Sequence, residues 1–452
     1  MGTFLSDTGR KLKAAYYTLG CKLNYAETST VGKMLKELGV DEAVGGEVPD
    51  ICIVNTCSVT ETADKKGRTL IRRIARTYPD ATLVVTGCYA QLKPQEIASI
   101  PGVDIVVGSN EKHKIAGFLE NWYAGKHSAD IHEGAAGETL KDFHAACARG
   151  DRTRFFLKVQ DGCDYFCTYC TIPYARGRSR SGTVREMVDL ARDAARDGGR
   201  EIVLTGVNIG EFGIHGGETL FDLMKALDEV EGIERFRISS IEPNLLTESM
   251  IEWIARESRR FMPHFHIPLQ SGSDAVLKKM NRRYDTSLFA SRIAAIRSLM
   301  PDAFIGVDVI AGARGETPRE WERSYGFIDS LDISRLHVFP YSERPGTAAL
   351  LMGDVVEKGE RNRRAAELIA LSDRKLEAFA ERNYGEAHPV LWEHQVKGTD
   401  LMSGLTDNYL RVEAPYFPEL LNSVSKAVIN GPASTPEIYL AEHTPQPTTS
   451  NP

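Results

Sequence analysis

The chain has 452 residues, of which 42% are hydrophobic and 26% are charged, and its formal net charge is −7. This length predicts two or three domains, and the composition is that of an ordinary globular protein. The acidic balance excludes a protein that coats nucleic acid non-specifically, although a local basic patch can still bind phosphates. The opening MGTFLSDTGRKLK lacks the apolar run of a signal peptide, and no run of about eighteen apolar residues predicts a membrane span. We expect a cytoplasmic protein with no membrane partner.

Residues 11–130 alternate strand-like and helix-like segments. Hydrophobic runs predict strands at 14–19, 51–55, 82–86 and 104–108, and amphipathic patterns predict helices near 27–38, 61–77, 94–100 and 111–123. Such alternation is typical of an open parallel sheet with helices on its faces.

Three cysteines follow the first three predicted strands, in the sequences TLGC, NTC and TGC: Cys21, Cys57 and Cys88. The carboxyl ends of parallel strands share one edge of a sheet, so these distant residues are expected to converge. Convergent thiolates favour zinc, copper(I) or an iron–sulfur cluster. Cysteine is also a common core residue, which is our interpretation of Cys52 inside a strand run. Cys147 lies in a polar segment and has no predicted role.

Residues 131–150 are polar and lack a hydrophobic period, so we predict a linker there. Strand–helix alternation then resumes for six units between 151 and 380. The predicted strands are 155–160, 201–206, 235–240, 264–269, 304–312 and 335–341, and the predicted helices are 183–197, 219–230, 246–257, 285–299, 317–330 and 357–384. Repeated β–α units curl a parallel sheet into a barrel whose functional loops follow the strands. Six units predict an incomplete barrel, open on one side.

The stretch DGCDYFCTYC follows the first of these strands and spaces Cys163, Cys167 and Cys170 as C-x₃-C-x₂-C. Structural zinc normally takes four ligands in paired spacings, whereas three cysteines crowd one loop here. A zinc site completed by His144 or His264 is the alternative. A [4Fe–4S] cluster held by three thiolates leaves one iron free to bind a small molecule. Cysteines used as thiolates require a reducing compartment.

This loop resembles the cluster loop of the radical S-adenosylmethionine (SAM) enzymes. The resemblance implies that the open iron binds SAM and that one electron, from an external donor, cleaves its carbon–sulfur bond. Asp308 lies in an apolar strand, where an ionisable group needs a partner or a function. The other candidates for SAM binding lie on loops that follow other strands. The full set of candidates is Asn208, Glu242, Gln270 and Asp308.

Residues 381–445 alternate apolar and polar residues in short runs broken by Gly, Asn and Pro, which predicts a small β-barrel. The sequence GLTDNYLRVEAP resembles the TRAM domain, an OB-like RNA-binding module. Such barrels bind RNA through aromatic platforms and basic grooves. The resulting candidates are Tyr409, Arg411, Tyr416 and Lys426, with barrel packing as the alternative for Tyr409. Residues 446–452 are expected to be disordered.

The sequences TLGCKLNYAET, VNTCSVT and TGCYAQ resemble the three signatures of the methylthiotransferase N-terminal domain, and HIPLQSGS resembles a segment of the methylthiotransferase core. The resemblance implies an α/β protein with an N-terminal cluster domain (11–130), a partial (β/α)₆ radical SAM barrel (151–380) and a TRAM domain (381–445). It further implies that Cys21, Cys57 and Cys88 hold a second [4Fe–4S] cluster, which carries sulfur obtained from a sulfur source. Arg314 replaces the usual proline in GARGET. This replacement predicts either a looser loop or an arginine that reaches a phosphate, and both interpretations stay open.

The signature GCKLN is nearest to that of the threonylcarbamoyladenosine methylthiotransferases. Isopentenyladenosine enzymes favour GCQMN and ribosomal-protein aspartate enzymes favour GCPKN, and both substrates stay as alternatives. The resemblance implies that threonylcarbamoyladenosine in the tRNA anticodon stem-loop becomes its 2-methylthio form. An alternative of another class is a non-catalytic iron–sulfur protein that binds RNA or acts as a sensor. A further enzyme alternative places zinc on the N-terminal cysteines.

Overall fold

The computed structural model of the chain describes residues 10–125, 130–132, 142–149 and 153–444. The predicted tail at 446–452 lies outside these residues, as does the centre of the predicted linker. In the described part of the chain, no helix is long and apolar enough to cross a membrane. A parallel sheet, a partial barrel and a small closed barrel follow one another along the chain.

The N-terminal sheet is fully parallel. Its strands are β1 (Lys13–Thr18), β2 (Asp41–Glu42), β3 (Ile51–Thr56), β4 (Thr82–Gly87), β5 (Ile105–Gly108) and β6 (Asp130–His132), and its helices are α1 (Lys22–Glu37), α2 (Glu61–Thr77), α3 (Cys88–Leu92), α4 (Pro94–Ala98) and α5 (Ile115–Tyr123). The strand order is β2-β1-β3-β4-β5-β6. Helices α1 and α5 pack on one face and α2 and α4 on the other. Every residue of β3 and β4 is therefore buried, which explains their unbroken hydrophobic runs.

The partial barrel follows. Its strands are β7 (Ala146–Arg149), β8 (Arg154–Lys158), β9 (Gln160–Asp161), β10 (Arg180–Ser181), β11 (Glu201–Thr205), β12 (Arg235–Ile238), β13 (His264–Gln270), β14 (Phe304–Ala311) and β15 (Arg335–Pro340). Its helices are α6 (Ile172–Arg176), α7 (Val184–Arg196), α8 (Leu220–Asp228), α9 (Glu248–Arg256), α10 (Asp274–Lys279), α11 (Thr286–Leu299), α12 (Pro318–Ser330) and α13 (Lys358–Glu381).

Six parallel strands form one arc in the order β8-β11-β12-β13-β14-β15. Strands β8, β11 and β12 pair in one sheet and β13, β14 and β15 in another, and a bridge between Ser240 and His266 continues the arc between them. The predicted six-unit incomplete barrel is confirmed. The sequence did not predict β6 or β7, because both are short edge strands in a polar segment. Strand β7 adds antiparallel to β8 at the open edge of the arc.

Helix α1 of the N-terminal sheet packs against β7 and β8 and so covers the open side of the partial barrel. Phe155 and Leu157 pack with the outer helices, so Phe156 faces the inside of the barrel, which we call the lumen. Ala26 of α1 packs on Phe156 and on the small residues of β7. The ring of Tyr25 meets Phe156 edge to face, with centroids 5.7 Å apart. The N-terminal sheet and the partial barrel therefore enclose a common interior.

The C-terminal barrel closes the amino-terminal end of the lumen, where the strands of the partial barrel begin. Its strands are β16 (Ala387–Gln395), β17 (Leu401–Thr406), β18 (Arg411–Pro415), β19 (Val424–Pro432) and β20 (Tyr439–His443), closed in the order β16-β17-β18-β20-β19. Short 3₁₀ helices complete the structure at Lys112–Lys114, Ile209–Glu211, Ala348–Leu351 and Pro418–Leu420. Arg237 of β12 donates to the carbonyl oxygens of Thr406 and Asp407, each at 2.7 Å. The ring of Tyr409 packs on His264 at a tilt of 34°, with ring centroids 4.0 Å apart.

Candidate site between two cysteine trios

The first trio, Cys21, Cys57 and Cys88, lies at the carboxyl edge of the N-terminal sheet. Cys21 precedes α1, Cys57 follows β3, and Cys88 begins α3. The parallel register aligns the ends of β1, β3 and β4. Gly20 has φ +102°, and a Cβ at that position would lie 2.6 Å from the Cβ of Cys57. The glycine before Cys21 therefore allows the first two strand ends to approach closely.

The three thiols of this trio are free and differ in exposure. Cys21 is exposed, Cys57 is half-buried and Cys88 is buried. Burial, and then the neighbouring thiol of Cys88, raise the pKa of Cys57 to about 12. Burial also raises the pKa of Cys21, against the charge of Arg176, which lowers it. An accessible sulfur surrounded by protein marks a recess, and the thiols that share it need positive charge before they can ionise.

The second trio, Cys163, Cys167 and Cys170, lies on the loop after β8 and β9, at the carboxyl end of the partial barrel. Backbone amides aim at its sulfurs: Tyr165 N–H reaches Cys163 Sγ at 3.5 Å and Ile172 N–H reaches Cys170 Sγ at 3.4 Å. Arg282 lies 3.1 Å from Cys167 Sγ. Donors of this kind stabilise thiolates and the clusters that they hold.

Among the described residues, no three or more His, Cys, Asp and Glu side chains come together tightly enough to hold a single metal ion. Tetrahedral zinc would bring its sulfur ligands to roughly 3.8 Å from one another. The alternative histidines have other partners, because His264 packs on Tyr409 and His144 stacks on His113. Each trio does supply three free thiols, which is the kind of ligand set that holds an iron–sulfur cluster.

Arg176 connects the two trios. It ends α6, the short helix that follows Cys170, and α6 packs against α3, which begins at Cys88. Its guanidinium donates to Asn24 Oδ1 at 2.7 Å and to both carboxylate oxygens of Glu27 at 2.9 and 3.1 Å. Asn24 and Glu27 belong to α1, which follows Cys21.

Glu27 is the centre of a buried charge network. Lys112 and Lys158 also pair with it, Lys158 at 2.9 Å. Burial alone would raise the pKa of Glu27, but Arg176 and the two lysines hold it well below its usual range. Arg176 also binds Asp161, two residues before Cys163, at 3.0 Å. These pairs compensate the desolvation of the charges that they bury, and they depend on both halves of the site being present.

Three of the four predicted SAM-binding residues lie at or beyond the carboxyl ends of barrel strands. Asn208 is buried after β11, and neither polar atom of its side chain has a hydrogen-bond partner within the described chain. Glu242 pairs with Arg282. Gln270 ends β13 with φ +66°, a strained conformation that is often found at functional positions. Asp308 instead lies inside β14 and pairs with His266 at 2.7 Å. The unpartnered amide of Asn208 fits a missing polar ligand.

Two residues beside the second trio were not predicted from the sequence. Arg282 contacts both Cys167 and Glu242. The basic run NRRY was the sequence pattern that could have indicated it. Glu211 accepts from the backbone amide of Asp164 at 3.2 Å, and burial raises its pKa. It follows β11 in the GEFG turn, where no residue pattern distinguishes it from a turn glutamate.

The remaining candidates lie away from the trios. Tyr409 is held at the base of the lumen and Tyr416 packs against the C-terminal barrel core, whereas Lys426 is exposed and Arg411 half-buried. Arg314 donates to the carbonyl oxygens of Leu350 and Met352 at 3.1 and 2.9 Å and to Glu343 at 2.7 Å. These bonds tie the loop after β14 to the loop after β15. The arginine therefore holds the loop that a proline would otherwise stiffen.

The fold and two family models define the class. Residues 13–108 match the family described as Uncharacterized protein family UPF0004, and residues 157–328 match the Radical SAM superfamily. A radical SAM methyltransferase, TsrM of Kitasatospora setae, solved with cobalamin and a [4Fe–4S] cluster, aligns with a TM-score of 0.54 at 14% identity. The alignment covers 74% of this chain and 76% of that one and shows a common fold.

The relatives narrow the class to a family. The threonylcarbamoyladenosine tRNA methylthiotransferase MtaB of Bacillus subtilis is 40% identical over 92% of this chain and 93% of its own length. The MtaB protein of Aquifex aeolicus is 32% identical over 90% and 98%. A tRNA-2-methylthio-N(6)-dimethylallyladenosine synthase of Symbiobacterium thermophilum is 31% identical over 88% and 87%. The chain belongs to the radical SAM methylthiotransferase family. Such enzymes use SAM and two [4Fe–4S] clusters, so the cofactor predictions are confirmed.

Proposed function

We propose that this enzyme attaches a methylthio group to C2 of threonylcarbamoyladenosine beside the anticodon of tRNA. The observation that carries the proposal is the pairing of Arg176, on the loop of the second trio, with Asn24 and Glu27 of the helix that follows Cys21. Two thiol recesses joined in this way can serve one substrate. The relatives that are 40% and 32% identical are named for this nucleoside, which supports the choice of substrate.

The second trio is assigned to the cluster that binds SAM, and the first trio to the other cluster. When bound, these groups supply the radical that removes hydrogen from C2 and the methylthio group that replaces it. The assignment requires an external electron donor and a sulfur source as partners. Of the SAM candidates, Asn208 and Glu242 have the strongest support, because Asn208 has an unpartnered amide and Glu242 meets Arg282 beside Cys167.

The chain's own residues then have three tasks. Arg176 keeps the two trios in one assembly, and Arg282 donates toward Cys167 and holds Glu242. Helix α1 and Tyr409 limit the access of water to the lumen from the open side and from the base. Exclusion of water protects radical chemistry from side reactions.

The proposal keeps the division into a cluster domain (11–130), a radical SAM core (151–380) and a TRAM domain (381–445). Of the predicted RNA-binding candidates, the exposed Lys426 and the half-buried Arg411 remain the cationic residues able to meet phosphates. Free thiols at both trios suit the reducing cytoplasm, where tRNA is modified.

Mass spectrometry of tRNA nucleosides tests the function. A deletion strain is expected to lose 2-methylthio-threonylcarbamoyladenosine and to accumulate its unmodified precursor, and the wild-type gene is expected to restore the product. Loss of the isopentenyladenosine derivative instead would transfer the assignment to that nucleoside. Unchanged tRNA together with an altered ribosomal-protein aspartate would favour the third substrate. Unchanged nucleosides and ribosomal proteins would favour a sensor.

A further inference from the structure

Lys22 directs its ammonium group into the lumen. It is the first residue of α1, directly after Cys21, and is only half-buried. Its Nζ lies 5.9 Å from the ring centroid of Tyr409, which forms the base of the lumen. Its electrostatic neighbours are the lumen residues His264 and His337. A positive charge therefore enters the enclosed space from the edge of the first trio.

The carboxylates around this space already have partners. Asp308 pairs with His266 at 2.7 Å, Glu201 with Arg237 at 3.0 Å, and Glu393 with Arg154 at 2.9 Å. Within the described chain, Lys22 has no carboxylate partner, and its contact with Tyr409 is a cation–π contact. An ammonium group in a partly desolvated space is stabilised when an anion joins it.

We propose that Lys22 binds the carboxylate of the threonyl group of threonylcarbamoyladenosine and so selects this nucleoside. This inference rests on the proposed function. Threonylcarbamoyladenosine carries a free carboxylate on its N6 substituent, whereas the dimethylallyl substituent named for the Symbiobacterium relative is purely apolar. A lysine provides a compact charge on a flexible stem, which suits a carboxylate delivered at the end of a substituent.

The neighbouring rings complete the site without competing for the anion. Burial, and then the charge of Arg237, hold the pKa of His264 well below its usual range, so this ring is neutral at neutral pH. Arg237 is already paired with Glu201. The methionine carboxylate of SAM is a less suitable partner, because the groups around Cys167 are Arg282 and Glu242 rather than Lys22.

Two substitutions separate the charge of Lys22 from its ability to form hydrogen bonds. The variant Lys22→Gln removes the charge and keeps a hydrogen-bonding side chain, and Lys22→Arg keeps the charge. Lys33→Gln, on an exposed position of the same helix, is the matched control.

The test measures binding, without turnover, of synthetic anticodon stem-loops to the cluster-loaded enzyme. The stem-loops carry threonylcarbamoyladenosine, its neutral methylamide, dimethylallyladenosine or adenosine. Wild type is expected to prefer the carboxylate form over the methylamide. Lys22→Gln is expected to lose about 10- to 100-fold in affinity for the carboxylate form alone. Lys22→Arg and Lys33→Gln are expected to keep the preference.

The remaining outcomes separate the two levels of the inference. Equal preference in wild type and Lys22→Gln would overturn the role of Lys22, as would an equal loss for all four stem-loops. A loss of SAM binding with unchanged stem-loop preference would assign Lys22 to SAM instead. A wild-type enzyme that does not distinguish threonylcarbamoyladenosine from adenosine would count against the proposed function itself. Iron and sulfide contents equal to those of wild type are required of each variant.

Discussion

Arg176 and Glu27 lie 149 positions apart in the chain and are joined by hydrogen bonds of 2.9 and 3.1 Å. Glu27 belongs to the helix that follows Cys21, and Arg176 to the helix that follows Cys170. Both side chains are buried, so neither charge is compensated by water. The pair makes the relative position of the two cysteine trios a property of the folded core rather than of a flexible connection.

Removing this guanidinium is expected to loosen the site. Arg176→Met leaves Glu27 and Asp161 with fewer cations, and breaking a buried pair from one side costs about 3–5 kcal/mol. We expect a lower unfolding temperature, and a larger loss of iron from the first trio than from the second. Arg185→Met, at an exposed position, is the control. An Arg176→Met protein with wild-type stability and iron content would contradict this role.

Each trio is expected to account for one cluster. Cys57→Ala and Cys167→Ala should each remove about half of the iron and sulfide of the reconstituted protein, because a cluster depends on its thiolate ligands. Cys147→Ala is the control, since this half-buried cysteine lies in β7, away from both trios. Elemental analysis provides the measurement. Loss of zinc from Cys57→Ala with an unchanged iron content would favour the alternative in which the first trio binds zinc.

Mild acid is expected to lower the stability of the folded protein through His264, which lies at the base of the lumen. His264 has a pKa well below its ordinary value of 6.5, because it is buried and lies close to Arg237. The unfolded chain takes up this proton near pH 6.5 and the folded protein does not, so stability falls as the pH decreases below about 6.5. The slope from this residue is at most about 1.4 kcal/mol per pH unit.

The measurement is the free energy of unfolding between pH 8 and pH 5. His264→Phe keeps an aromatic ring against Tyr409 and should reduce the slope. Identical slopes for wild type and His264→Phe would show that the ring is not held neutral.

Arg314 is expected to act on stability rather than on RNA. Its three hydrogen bonds hold two loops together, so Arg314→Gln should lower stability by about 1–3 kcal/mol. The affinity for tRNA should stay that of wild type. Arg319→Gln, on an exposed neighbour, controls for the loss of positive charge. A variant that loses tRNA affinity without loss of stability would indicate a phosphate contact.

The strands and the cysteine positions could be predicted because local patterns determine them. A parallel strand covered on both faces needs a continuous apolar run, as in β3 and β4. A helix that begins at a strand end brings Cys21 or Cys88 to the carboxyl edge of the sheet. The need of Asp308 for a partner was also predictable, and His266 provides it. The identity of that partner depends on strand register, which the sequence does not contain.

The connections between parts of the chain could not be predicted. The partners of Arg176 depend on how the N-terminal sheet packs into the partial barrel. Tyr409 matched an RNA-binding pattern, yet it packs on His264 at the base of the lumen. An aromatic residue in a small barrel looks the same in the sequence whether it faces RNA or a neighbouring domain. Lys22 was part of a signature, but its direction into the lumen follows only from the packing of α1.

The most direct test is product analysis with a stem-loop that carries threonylcarbamoyladenosine. Reconstituted enzyme receives SAM, a reductant and sulfide, and mass spectrometry follows the nucleoside and 5′-deoxyadenosine. Wild type should yield the 2-methylthio nucleoside, Cys57→Ala should yield 5′-deoxyadenosine without it, and Cys167→Ala should yield neither. Methylthio product from Cys57→Ala would contradict the claim that both trios serve one reaction.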